Sequence, residues 1–199
     1  MKINVCLEAG RDGVGAFVPD CPGCWVFGRT SESALKKVEA AVAEWFEWLR
    51  RHGETVNVKT SEIEIVVDEL LHVTYNPVEA GKPEPLFWSE VLPIGSRDIE
   101  RTIQLMNYSR EDLIELTSTL DGKTLDWQPP EKPRTIRNCL NHIGIVEWWY
   151  ITRLDIDLAE DMPEDVFELL RYTWETVLHS LKILPEAKWN LPAEEIRGS

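Results

Sequence analysis

The hydrophobic period of this chain changes once, and that change bounds every fold the chain can adopt. Over residues 1–67 apolar residues recur at every second position in short runs, with one helical stretch among them; after Ser96 they recur every three to four residues. The two patterns are separated by residues 76–95, which carry Pro77, Pro83, Pro85 and Pro93 together with Gly81 and Gly95. No regular element runs through such a stretch. The sequence therefore reads as an α+β chain: a sheet domain over residues 1–75, a proline-rich connection over 76–95, and an all-α antiparallel bundle over 96–199. Leu86-Phe87-Trp88 interrupts the connection with three bulky apolar residues, which are expected to pack against one of the domains.

Within the first pattern, Ile3, Val5 and Leu7 share one face of a strand, and Gly10 to Gly13 supply a turn. Val14, Ala16 and Val18 form a second strand that ends at Pro19, and a Pro-Gly turn leads to a third through Trp25 and Phe27 to Gly28. Thr30 is a good N-cap with Glu32 in the first turn, and Ala34, Leu35, Val38, Ala41, Val42, Trp45, Phe46 and Leu49 repeat at helical spacing. Arg50, Arg51 and Gly53 close that helix. Val56, Val58, Ile63, Ile65 and Val67 then alternate as strand. The order is β-β-β-α-β, expected as a small antiparallel sheet with one helix on a face.

Three amphipathic helices follow. Ser96 caps the first, whose stripe runs Ile99, Ile103, Met106, Leu113, Leu116 and Leu120 and ends at Asp121-Gly122. Thr135 caps the second, with Ile136, Leu140, Ile143, Val146, Tyr150 and Leu154. The third follows Asp161 and Pro163 with Val166, Leu170, Trp174, Val177, Leu181 and Leu184, and stops at Pro185. Helices of this length suit antiparallel bundles. Residues 186–199 hold Pro192 and no comparable stripe, so a fourth helix is missing from the pattern.

Composition narrows the functional classes. An apolar content of 43% with nine tryptophans excludes a disordered polymer. Residues up to position 95 hold nine basic and 15 acidic side chains and those after it 12 and 20, so the charge of −14 splits as −6 and −8. Such a surface repels phosphate backbones, which argues against nucleic acid, and suits a basic protein partner, a metal ion or simply solubility. No run reaches the ~18 apolar residues of a membrane span, and Met1 to Cys6 resembles no signal segment, so a cytoplasmic location with four reduced cysteines is expected.

Cys21-Pro22-Gly23-Cys24 is a CxxC, but it has no second pair for a zinc ribbon, and it leads into a strand rather than a helix as a thioredoxin-type site requires. No phosphate-binding glycine loop, nucleophile elbow or catalytic triad spacing occurs. The tryptophans, Trp148-Trp149 among them, read as core or interface anchors beside acidic neighbours. Glu147 lies near the centre of an apolar stripe, where a carboxylate needs a partner. An ion pair with Arg101, Arg110 or Arg171 would supply one; a metal or acid–base role is the alternative.

Phe17-Val18-Pro19-Asp20, Pro22-Gly23-Cys24, Gly28, Thr30, Ala34-Leu35 and Ala41 together resemble the HicB family of antitoxin-like domains over residues 1–67. The resemblance implies a small β-β-β-α-β domain that binds a small basic toxin that cleaves RNA. The DNA-reading segment that usually follows in that family has no counterpart here, so autorepression is not carried over.

Arg134-Thr135-Ile136-Arg137, Leu140-Asn141-His142-Ile143, Glu147-Trp148-Trp149-Tyr150 and Arg153-Leu154 resemble the DinB-like four-helix bundles over residues 96–190. Many of those bind a divalent metal through three histidines, one at the place His142 occupies and two in an HxxxH on the last helix. This chain has no HxxxH; its other histidines are His52, His72 and His179. His179 falls about 160–200° from the apolar line of its helix, and His52 and His72 belong to the sheet domain. His142 lies about 100° off its stripe and reads as a partly buried packing residue. It is also the one histidine placed as a candidate metal ligand, with Glu147 as a second candidate.

The expected function is therefore protein binding and self-association, with a homodimer covering the groove of a missing fourth helix and no cofactor. A metal-dependent transferase or hydrolase with Zn or Ni at His142 is one alternative. An antitoxin-like module that neutralises a basic RNA-cleaving toxin is the other. A fourth helix and its loop would need roughly 30 more residues, so a reading frame running past Ser199 would favour the metal reading.

Overall fold

A computed structural model describes residues 1–59, 62–79, 86–154, 156, 158 and 161–183. The prolines and glycine at 81, 83 and 85, the expected helix end at Leu184-Pro185 and the segment 186–199 lie outside the described residues. The chain divides into two units, Met1–Leu92 and Pro93–Ser199.

In the first unit, β1 (Lys2–Ala9), β2 (Val14–Phe17), β3 (Trp25–Gly28), α1 (Ser31–Arg51) and β4 (Glu64–His72) follow one another, and the sheet order is β3-β2-β1-β4. The α+β class and the β-β-β-α-β order of the sequence are what the structure shows. The sheet is mixed, however, and not antiparallel. β1 pairs antiparallel with β2 and β2 with β3, but β4 runs parallel to β1, from Lys2↔Glu64 to Ala9↔His72. Two hairpin reversals leave β3 running with β1, and the helical crossover through α1 brings β4 back in that same direction.

α1 starts where the sequence places it. The Thr30 hydroxyl accepts from the Ser33 N–H at 3.1 Å, and the Ser33 hydroxyl accepts from the Thr30 N–H at 3.0 Å, a reciprocal capping box. Ala34, Val38, Val42, Phe46 and Leu49 are its buried face, and α1 packs against β3 and β2. Val56 and Val58 alternate but do not form a strand. Their carbonyls instead accept from the Arg50 guanidinium at 3.2 and 2.9 Å, which straps the segment to the end of α1. β4 begins at Glu64 and slips by one residue against β1 between Val5 and Cys6.

The second unit holds α2 (Ser96–Thr117), a short α3 (Gly122–Leu125), α4 (Ile136–Thr152) and α5 (Val166–Ile183). Several boundaries differ from the sequence reading. Gly95, not Ser96, is the N-cap of α2, with the Asp98 carboxylate reaching back to its N–H at 2.8 Å. Asp121-Gly122 starts α3 rather than ending α2: the Asp121 carboxylate accepts from the Thr124 N–H at 2.7 Å. Asp165 opens α5, its carboxylate accepting from the N–H groups of Phe167 and Glu168.

Leu125, Leu140, Val166 and Leu170 are the centre of the bundle core, with Leu113, Ile114, Leu120, Ile136, Ile143 and Phe167 packed on them. α4 and α5 approach closely at Gly144, where an added Cβ would stand 3.0 Å from Leu169. Leu116 and Tyr150 were expected in apolar stripes, but both are exposed. The buried line of α4 runs through Leu140, Gly144 and Ile151, and that of α5 takes in Thr173 and Ser180 rather than Trp174 and Leu181. Among the described residues no helix is long and apolar enough to cross a membrane.

Candidate functional site

The loop between β2 and β3 builds the wall of a cleft on the first unit. Pro19 ends β2 because it has no N–H to give to the ladder. In place of a strand neighbour, the Asp20 carboxylate accepts from the Asn4 N–H of β1 at 2.7 Å and ties the loop down. The chain then turns over Pro22-Gly23, and the Val18 N–H donates to the Cys24 carbonyl at 3.1 Å as it re-enters the sheet.

The opposite wall comes from residues far along the chain. Phe87 is fully buried, and its ring lies 5.3 Å from that of Phe17, centroid to centroid. A single turn of 3-10 helix over Trp88–Glu90 follows, held by two carboxylates. Glu90 accepts from the Phe87 N–H and Glu69 of β4 from the Trp88 N–H, each at 2.8 Å. Of the three bulky residues in this stretch only Phe87 packs inward; Leu86 is exposed and Trp88 is 75% exposed.

Between these walls lies a cleft of about 340 Å³, lined among others by Phe17, Pro19, Pro22, Trp25, Phe87 and Glu90. Trp25 stands at its edge, edge-on to Phe17 and stacked on Phe27. Trp25 is exposed there, and so are Leu86, Trp88, Val91 and Leu92, the chain neighbours of the lining residues Phe87 and Glu90. An apolar cleft with an exposed aromatic rim and carboxylates beside it is a surface built to be covered.

Beneath the same face of the sheet sits a buried carboxyl. Glu8 of β1 is 2% exposed, hydrogen-bonded to the Tyr75 phenol, and its Oε1 has no partner. Burial raises its pKa above the ordinary carboxyl range, with the Tyr75 hydrogen bond opposing. The sign follows from linkage. The folded chain holds this proton more tightly than the unfolded chain, so the contribution is full below the ordinary glutamate pKa and is lost as pH rises through the raised one. Glu8→Gln should therefore gain stability relative to the parent as pH rises above the ordinary glutamate range. Urea denaturation of both proteins at a series of pH values upward from that range reads the difference, and equal pH slopes would refute the buried-acid account.

The residues singled out in the bundle are placed apart. His142 is exposed, and a packing role for it is overturned: it lies about 140–200° around α4 from Leu140, Gly144, Glu147 and Ile151, the inward face. Glu147 points inward. Of the three arginines that could have met it, Arg110 of α2 does, at Oε1, while the Thr173 hydroxyl of α5 donates to Oε2 at 2.9 Å. The two side chains are thus not brought together. Among the described residues no group of three His, Cys, Asp or Glu side chains could hold a metal ion. His179 and His72 are exposed and His52 stacks edge-on against Trp48.

The cleft was missed from the sequence, since Phe17 and Phe87 are joined only by the fold. The one signal available was the apolar run Leu86-Phe87-Trp88 in a proline-rich stretch.

Comparison with known proteins points to the same unit. Residues 3–73 match the model of the HicB-like antitoxin of bacterial toxin–antitoxin systems. The chain is 33% identical over 57 residues to the UPF0150 protein Ta0767 of Thermoplasma acidophilum, which covers 28% of this chain and 83% of that relative. No solved structure matches the chain.

Proposed function

The chain belongs to the HicB-like antitoxin family through residues 3–73, and from that premise we propose that its first unit is a docking module for a small basic protein of the RNA-cleaving toxin class. The observation that carries the reading is the cleft between Phe17 and Phe87 with Trp25 exposed at its edge and Leu86 and Trp88 exposed on either side of Phe87 in the chain. Tryptophans at the edge of an apolar pocket are the side chains on which binding energy concentrates. Asp20 and Glu90 beside the cleft, and the charge of −6 over residues 1–95, give the approach of a basic partner a favourable field.

Capture of purified small basic ribonucleases by the immobilised full chain tests this. At low salt a subset should be retained, with an association that weakens as salt rises. Trp88→Ala and Trp25→Ala should each weaken it about tenfold or more, the effect of removing an interface anchor. Retention that is indifferent to both substitutions would place the contact elsewhere, and retention of no basic protein at low salt would end the proposal.

A further inference from the structure

Cys21 and Cys24 stand at the two ends of one turn in the cleft wall, and docking a partner uses neither thiol. The Cys24 N–H donates to the Cys21 carbonyl at 2.9 Å, closing a β-turn with Pro22 and Gly23 at its centre. Gly23 has φ +88°, the conformation that a Pro-Gly turn of type II demands of its second central residue. The ends of a β-turn lie within about 7 Å of each other between Cα atoms, a separation a disulfide can span with little movement.

Both thiols are free and differ in access. Cys21 is fully buried, whereas Cys24 is partly exposed and lines the cleft. The Cys24 thiol reaches the Ala41 carbonyl of α1 at 3.7 Å and is hydrogen-bonded to the Cys21 thiol. That hydrogen bond holds the Cys24 thiol below its ordinary range, against burial and the Glu44 carboxylate, while the same bond and burial push Cys21 up. A partly exposed cysteine whose thiol is lowered beside a buried one that is raised is the division of labour that exchange chemistry requires.

We propose that Cys21 and Cys24 form a thiol–disulfide exchange site for low-molecular-weight disulfides. Cys24 loses its proton to solvent and attacks one sulfur of the disulfide RSSR. The S–S bond of RSSR breaks, Cys24–S–SR forms, and RS⁻ leaves and takes up a proton. Cys21 then loses its proton and attacks the Cys24 sulfur, forming the Cys21–Cys24 bond and releasing the second RSH. Two protein thiols are oxidised and one RSSR is reduced to two RSH. The exchange is tested on the chain alone, so its outcome is independent of the docking reading.

The test equilibrates the full chain in buffers of graded oxidised-to-reduced glutathione ratio, followed by acid quench and mapping of the tryptic peptide 12–29, which holds both cysteines. The expected result is an internal disulfide in that peptide, with exposed Cys139 as the reference thiol. Before oxidation Cys24 should alkylate at least about tenfold faster than Cys21. Cys21→Ala should stop the reaction at a glutathione mixed disulfide on Cys24, and Cys24→Ala should leave Cys21 unmodified. A peptide 12–29 that stays reduced at every ratio at which Cys139 is glutathionylated would overturn the proposal. So would equal alkylation rates for the two thiols. Both measurements use the unmutated chain and stay decisive if a variant fails to fold.

Discussion

Arg110→Ala should destabilise the second unit by about 3–5 kcal/mol, the effect of stripping one partner from a buried ion pair. The Arg110 and Glu147 side chains are 12% and 16% exposed, so little water remains to solvate the carboxylate left behind. Arg110 links α2 to Glu147 of α4 and also lies 5.6 Å over the Trp174 ring of α5, so three helices lose a common contact at once. Thr173 alone cannot replace the guanidinium, because its single hydroxyl is already donated to Oε2. The pair itself is incompletely satisfied, since Arg110 Nη1 is buried without a partner. The double variant Arg110→Met, Glu147→Leu should therefore recover most of the loss, as apolar replacements of buried pairs commonly do. Urea denaturation of the two variants followed by far-UV circular dichroism checks both statements. A loss below about 1 kcal/mol for Arg110→Ala would mean the pair behaves as a surface bridge.

Phe87→Ala should destabilise the first unit by about 3–5 kcal/mol, the range for deleting a buried aromatic ring. The ring is 2% exposed and packs on Phe17, so its removal leaves a cavity open to the cleft and strips cover from the second face of the sheet. The neighbouring Trp88→Ala is the control. At 75% exposure that change should stay within about 0.5 kcal/mol, although it is the one expected to weaken partner capture. Thermal denaturation of the two variants separates stability from docking. Similar losses for Phe87→Ala and Trp88→Ala would show that the ring is no anchor of the fold.

The sequence made legible what local chemistry decides. Alternating Ile3, Val5 and Leu7, the Thr30 and Thr135 caps and the Pro22-Gly23 turn all stand where the pattern puts them. Strand direction is not a local property: the period of Ile65 and Val67 is the same whether β4 runs with β1 or against it. The inward faces of the bundle were misjudged for a related reason. α4 carries Ile145, Trp149 and Tyr150 outward as well as Leu140 and Ile151 inward, so periodicity alone does not choose between the faces. The Glu147–Thr173 hydrogen bond joins α4 to α5, and neither residue declares its partner in sequence. The place of Glu147 in an apolar stripe calls for a cation, which Arg110 supplies; the cleft joins Phe17 to Phe87 only through the fold.

The parallel pairing of β1 with β4 also sets an order of events. Lys2 waits for Glu64, so the last ladder of the sheet closes a loop of roughly 60 residues. As the chain leaves the ribosome, the β1–β2–β3 meander can form while the other side of β1 is still an unpaired edge. The unit becomes complete only when β4, and then Phe87, have emerged. That interval is when the strand most open to wrong partners is least protected, and its length is fixed by topology alone.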